Sequence, residues 1–224
     1  MAYHITGALN AVLFSLALVG IAHQLALVRR RRRDRVPGAS AVLSLNQLSV
    51  SFFAYWAFFV YGYCIEPFNP YLVWTRLAGA ALLLAVIGEV ALDRRTRRAR
   101  WAAGLGTSAL CLGLGGLASG LTLPGRWLAL PQALSVVVMV LVLQGFTHQI
   151  LEVRRHGAAG AVSPWMHLGT FLKDASLLAF GLAMGQRTGW PLVLLSASSM
   201  ATKLVLLWHL RGAFRHPGHA RVSG

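Results

Sequence analysis

Only two lysines occur in the 224 residues, Lys173 and Lys203, and Asp174 stands beside the first. All three lie inside long apolar stretches. A charge at the bilayer centre costs about 2.5–3.5 kcal/mol on insertion scales, so such residues face a bundle interior, have partners and mark substrate or ion paths. From the nearer ends of their stretches, Asp174 is about 11 residues deep and Lys203 about 8, a difference of roughly 4–5 Å at helical rise. Long side chains bridge that gap, and an Asp174–Lys203 pair is expected. Lys173 points about 100° round the helix from Asp174 and is not expected to share its face fully. Such a cluster is either a structural ion pair or a site for substrate binding or proton coupling.

Other polar residues fall at membrane depth. His23, His148 and His167 add imidazoles, each of which a carbonyl partner could satisfy as a neutral ring. Asn46 and Gln47 offer amides that both donate to and accept from a polar solute. Arg76 could meet Glu66 as an outer gate, or snorkel to the surface. Glu89 reads as an interfacial residue. His-Glu-x-x-His, Gly-x-Ser-x-Gly and paired membrane aspartates are absent. No catalytic residue, enzyme activity or cofactor is expected, and two histidines without further ligands make no metal site.

The elements that must hold these groups are membrane helices. Hydrophobic residues make up 56% of the chain and charged residues only 12%, about half the share of a soluble domain. The formal charge of +15 would suggest nucleic acid, but the arginines sit in short runs between apolar stretches, the pattern of a polytopic membrane protein. Two cysteines, Cys64 and Cys111, make no disulfide framework. A span needs about 20 apolar residues. Seven such runs are predicted, at 5–28, 42–64, 70–92, 101–123, 129–152, 163–186 and 190–211.

Met-Ala-Tyr-His precedes the first span with no basic leader, so a removed signal peptide is not expected. Arginine runs follow spans 1, 3 and 5 and the tail carries Arg211, Arg215 and Arg221, whereas the opposite loops hold Arg126 and Arg187. Positive-inside places the amino terminus outside and the carboxyl terminus in the cytoplasm. Arg29–Arg33 reads first as a topology anchor, then as a site for anionic lipid headgroups. The arginine-heavy usage and the absence of any Asn-x-Ser/Thr site suggest a bacterial inner membrane.

The chain also repeats itself. Span 1 ends Gly20-Ile21-Ala22-His23-Gln24 and span 5 ends Gly145-Phe146-Thr147-His148-Gln149, each before a basic loop. Gly38-Ala39-Ser40 and Gly160-Ala161-Val162-Ser163 open the next spans. Gly62 and Gly185 then fall at matching distances from Ser40 and Ser163, and Pro70 and Pro191 start the third helices. This register sets Val50 and Ser51 opposite Lys173 and Asp174. Each unit has three spans, so span 4 restores the parity and both copies face the same way. Its glycines (Gly104, Gly106, Gly113, Gly115, Gly116, Gly120) suit close helix packing. The predicted organisation is a first repeat over 1–97, a linker helix over 98–125, a second repeat over 126–212 and a cytoplasmic tail over 213–224. The fold class is all-α: seven transmembrane helices as two parallel three-helix bundles joined by an inversion helix. The aromatic run from Phe52 to Tyr61 is expected to pack toward lipid rather than to form a sugar platform.

This layout resembles the PQ-loop/SWEET superfamily, whose parallel repeats share it. The resemblance rests on the glutamine near the inner end of each repeat's first helix, the basic loops, Trp56 to Gly62 and Glu66-Pro67-Phe68-Asn69-Pro70-Tyr71. His23-Gln24 and His148-Gln149 replace the family's Pro-Gln, so a proline hinge is not carried over. The resemblance implies a secondary transporter or facilitator of a small polar solute (amino acid, sugar or organic anion), with proton coupling an option and homo-oligomers compatible. A cargo receptor of the KDEL type resembles the same fold and also lacks Pro-Gln. A retinal protein is the third reading, from a lysine in the seventh span, but span 3 has no mid-membrane carboxylate. Nucleic acid is not an expected partner.

Overall fold

The computed structural model describes the backbone of residues 1–35, 38–40, 43–123, 125–156 and 164–215, and the side chains of these except at 125–126, 145–156, 164–170 and 206–215. Seven α-helices run through them: α1 (Ala2–Arg33), α2 (Leu45–Cys64), α3 (Pro70–Arg94), α4 (Arg97–Ala118), α5 (Ala129–His156), α6 (Pro164–Ala183) and α7 (Gln186–Arg215). No strand occurs among the described residues. The chain is an all-helical polytopic membrane protein. Among the described residues α1, α3 and α4 each hold an apolar window long enough to cross a bilayer, and Ala129–Gln144 is a shorter one.

Helix ends follow local chemistry. Pro70 occupies the first turn of α3, where its missing N–H costs nothing, and the Asn69 side chain accepts from Leu72 N at 3.0 Å. Arg95 in the left-handed region (φ 51°) ends α3, and Thr96 then caps α4. α4 stops at Ala118, short of the predicted 123, because Gly120 turns at φ +66°. α7 also departs from expectation. It begins at Gln186, after Gly185 at φ +83°, so Pro191 lies inside the helix instead of starting it.

The chain divides into two compact units, Met1–Val142 and Leu143–Gly224. In the first, α3 lies between α1 and α2, and α4 packs on α2 and α3. α1 buries Gly7, Asn10, Phe14, Leu18, Leu25 and Val28. These recur at steps of three, four and seven residues, one helical face. Its opposite face leaves Ile5, Leu9, Val12, Leu16 and Val19 exposed, as a lipid-facing stripe should. In the second unit α6 packs along α7.

Most of the aromatic run of α2 turns inward instead of toward lipid. Phe52, Phe58, Phe59 and Tyr61 are buried, and Phe53, Tyr55 and Trp56 half-buried; α2 packs on α3 and α4, and several of its rings enter gaps left by glycines. A Cβ on Gly113 would come 2.8 Å from Trp56 Nε1 and 2.9 Å from the Phe59 ring, and one on Gly116 would meet Tyr63 Oη at 2.6 Å. Trp56 Nε1 donates to the Ala109 carbonyl at 2.7 Å. Small residues let the backbones approach, and large rings fill the remaining space.

The internal repeat is visible in the packing, in a register of its own. A Cβ on Gly62 would lie 3.0 Å from Val73 Cγ2 and 3.2 Å from Leu72 Cβ; one on Gly181 would lie 3.0 Å from Val193 Cγ2 and 3.1 Å from Leu192 Cβ. Asn69 N donates to the Gly62 carbonyl at 3.2 Å, and Gly189 sits on the Gly181 carbonyl so closely that a Cβ would be 1.8 Å from its oxygen. Gly62 therefore corresponds to Gly181, not to Gly185. The sequence register slips by four residues, about one helical turn, which keeps the same face and leaves the apolar pattern almost unchanged. Asp174 then corresponds to Tyr55 and Lys173 to Ala54, rather than to Ser51 and Val50. On the third helices, Ser196, Ser199 and Lys203 correspond to Arg76, Gly79 and Leu83.

Candidate functional site

Asp174 sits about 15 Å along α6 from Pro164, at the helix midpoint. On α7, Ser199 and Lys203 are four residues apart and so share a face. Both reach the same carboxylate oxygen: Ser199 Oγ donates to Asp174 Oδ2 at 2.7 Å, and Lys203 Nζ also donates to Oδ2. Lys173 Nζ lies 2.9 Å from the other oxygen, Oδ1. The Asp174 and Lys203 side chains are 3% and 7% exposed, against 20% for Lys173. A buried carboxylate is thus held by two ammonium groups and a hydroxyl, and the cluster carries one excess positive charge when all three groups are ionised.

Two points of this geometry differ from the sequence reading. Lys173 was not expected to share the Asp174 face fully, yet its flexible four-carbon stem brings Nζ to the neighbouring carboxylate at 2.9 Å. Ser199 was not anticipated as a partner of Asp174; its spacing of four from Lys203 is the signal that could have found it. Of the further hydroxyls, Ser176 Oγ donates to the Lys173 carbonyl at 2.7 Å and Ser196 Oγ to the Leu192 carbonyl at 2.7 Å.

The remaining candidate residues are not gathered here. Asn46 and Gln47 are exposed in the first turn of α2, where Ser44 accepts from Gln47 N at 3.3 Å. His23 is exposed on α1 and Gln24 half-buried. The side chains of His148, Gln149 and His167 lie outside the described residues. The expected Glu66–Arg76 gate is not formed among the described side chains. Glu66 is exposed between α2 and α3. Arg76 is 3% exposed, with its guanidinium carbon 3.7 Å from the centroid of the Phe14 ring. A weakly hydrated guanidinium gains from an aromatic face inside a bundle, which a water-exposed carboxylate does not offer.

At the arginine-rich end of the first unit, Glu89 Oε1 accepts from Arg29 Nε and Oε2 from Arg32 Nε, both at 2.8 Å. Two of the five arginines expected to meet lipid headgroups are therefore directed inward. Beside them Asp93 accepts from Ser40 N at 2.9 Å and Ser40 Oγ at 2.6 Å. Arg94 Nη2 donates to the carbonyls of Ser40 and Leu43, both at 2.5 Å. These contacts tie the α1–α2 connection to the end of α3.

No protein-family model matches the sequence, and no curated protein matches it. A solved eukaryotic SWEET transporter superposes with a TM-score of 0.66 over 93% of this chain and 96% of that one, at 17% identity. The fold is that of a SWEET transporter.

Proposed function

We propose that this chain is a secondary transporter or facilitator of a small polar solute, working by alternating access between two three-helix bundles over 1–97 and 126–212, with 98–125 as the linker. The observation that carries the reading is the Asp174–Lys203–Ser199–Lys173 cluster at the middle of α6. Charges at that depth are costly and normally serve a path. The SWEET-like fold supports a transporter in general. The excess positive charge favours a solute bearing a carboxylate, an amino acid or organic anion, over a neutral sugar. Lys173, the most exposed of the four charged and hydroxyl groups described, is the group assigned to the solute. Asp174 is assigned to proton coupling. The basic ends of α1, α3 and α5 then lie in the cytoplasm, in a bacterial inner membrane, with the amino terminus outside.

The test is uptake into proteoliposomes preloaded with sugars, amino acids and organic acids, with and without an inward-acid gradient. Saturable exchange of a carboxylate-bearing solute, lost in Lys173→Ala, is the expected result. Asp174→Asn is expected to abolish the pH dependence of uptake; an unchanged dependence removes Asp174 from coupling. No exchange by folded protein turns the reading toward a ligand receptor.

A further inference from the structure

Two shallow cavities, of about 540 Å³ and about 430 Å³, open on the outer face of α4 near its first turns. Arg97, Trp101 and Leu105 line both. The first cavity continues over Phe53 of α2 and is headed by Arg98; the second runs along Gly104 and is headed by Arg100. Trp101 and Leu105 are 59% and 55% exposed, and a Cβ on Gly104 would meet nothing within 4 Å. The result is a pair of apolar grooves, one on each side of the Trp101 indole, that share an arginine at their mouth.

We propose that this surface holds one anionic diacyl phospholipid, its phosphate on Arg97 between Arg98 and Arg100, with one acyl chain in each groove. The charge pattern selects this occupant. Arg97, Arg98 and Arg100 are exposed, and among the described residues none has a carboxylate partner. Arg29 and Arg32, by contrast, are already engaged with Glu89. Guanidinium groups match phosphate oxygens in a two-point geometry, and basic pockets beside membrane helices on the positive side of the bilayer hold anionic headgroups. Below the arginines the apolar surface continues to Leu112, which is 74% exposed. A soluble anion would use the arginines and leave the grooves empty; a neutral lipid would use the grooves and leave the three charges without a counter-ion.

Native mass spectrometry of the full chain, supplied with dioleoyl phosphatidylglycerol or dioleoyl phosphatidylcholine, tests this. The wild type is expected to retain one phosphatidylglycerol in preference to phosphatidylcholine. That preference falls about fivefold for each arginine removed in R97Q/R98Q/R100Q. Leu105→Trp, which fills both grooves and alters no charge, weakens both lipids. R30Q/R31Q/R33Q leaves binding unchanged. Equal retention by R97Q/R98Q/R100Q, loss in R30Q/R31Q/R33Q, or displacement of the lipid by millimolar inorganic phosphate would each overturn the proposal. Should R97Q/R98Q/R100Q fail to fold, the wild type decides. A photoreactive phosphatidylglycerol is expected to label the peptides carrying Phe53 and Trp101, and labelling confined to other helices refutes the site.

Discussion

The same place in the two repeats is built in opposite ways. In the first unit the second and third helices meet through Tyr55, Gly79 and Leu83; in the second, the corresponding positions hold Asp174, Ser199 and Lys203. At Gly79 an added Cβ would lie 2.6 Å from the Tyr55 ring, so the glycine makes room for an aromatic ring. Ser199 needs no such room, because the smaller Asp174 side chain leaves space for a hydroxyl that donates to it at 2.7 Å. The first unit does bury a cation, Arg76, but it lies three residues before Gly79 and against Phe14 rather than a carboxylate. One scaffold therefore tolerates at this position either a packed ring or a charge cluster. That the first unit makes this contact without charges is the physical reason to propose a function for those of the second.

The largest effect should come from breaking the cluster on one side only. Asp174→Ala leaves two lysines, one of them almost wholly buried, without their carboxylate and is expected to cost about 3–5 kcal/mol, read as a lower unfolding transition in detergent, with loss of uptake. Transplanting the first unit's solution sharpens the comparison. D174Y/S199G/K203L should recover most of that stability, because buried ion pairs are replaced by packed apolar residues at little or no cost, while uptake stays lost. Recovery of uptake together with stability would mean that the charges only hold the helices together.

The reciprocal change is smaller. Gly79→Ser brings the second unit's hydroxyl against Tyr55 and is expected to destabilise by about 1–3 kcal/mol through overpacking, measured in the same unfolding assay. G79S/Y55A, which removes the ring, should regain part of it. Smallest of all, Glu89→Gln weakens its contacts with Arg29 and Arg32. Their side chains are 48% and 40% exposed, so solvent screens the pairs and a loss of about 1 kcal/mol is expected. A loss as large as that of Asp174→Ala would show that an end contact matters as much as the central cluster and would break the contrast.

Much of the site could be read along the chain. Two lysines and an aspartate in apolar surroundings must find one another, and the heights of Asp174 and Lys203 required a match. The reach of Lys173 could not be read, because a helical angle fixes where Cβ points and not where a four-carbon stem ends. Glu66 and Arg76 looked like partners from their nearness to one end. Their separation follows from Phe14, a residue of another helix. The aromatic run of α2 carried no mark of its burial, since Phe and Trp serve lipid-facing and core positions equally well.

What the sequence determined by itself was the helices: seven apolar runs separated by arginine clusters, glycines and prolines, since crossing a bilayer demands length and satisfied backbone hydrogen bonds from each segment alone. It also determined that the chain repeats. The tertiary structure decided the register of that repeat, because a slip of one turn leaves a helical pattern nearly intact and only the contacts at Gly62 and Gly181 distinguish the two alignments. It decided as well which arginines are engaged and which face outward. Those choices rest on the distance between residues of different helices, and that distance is not written in either helix alone.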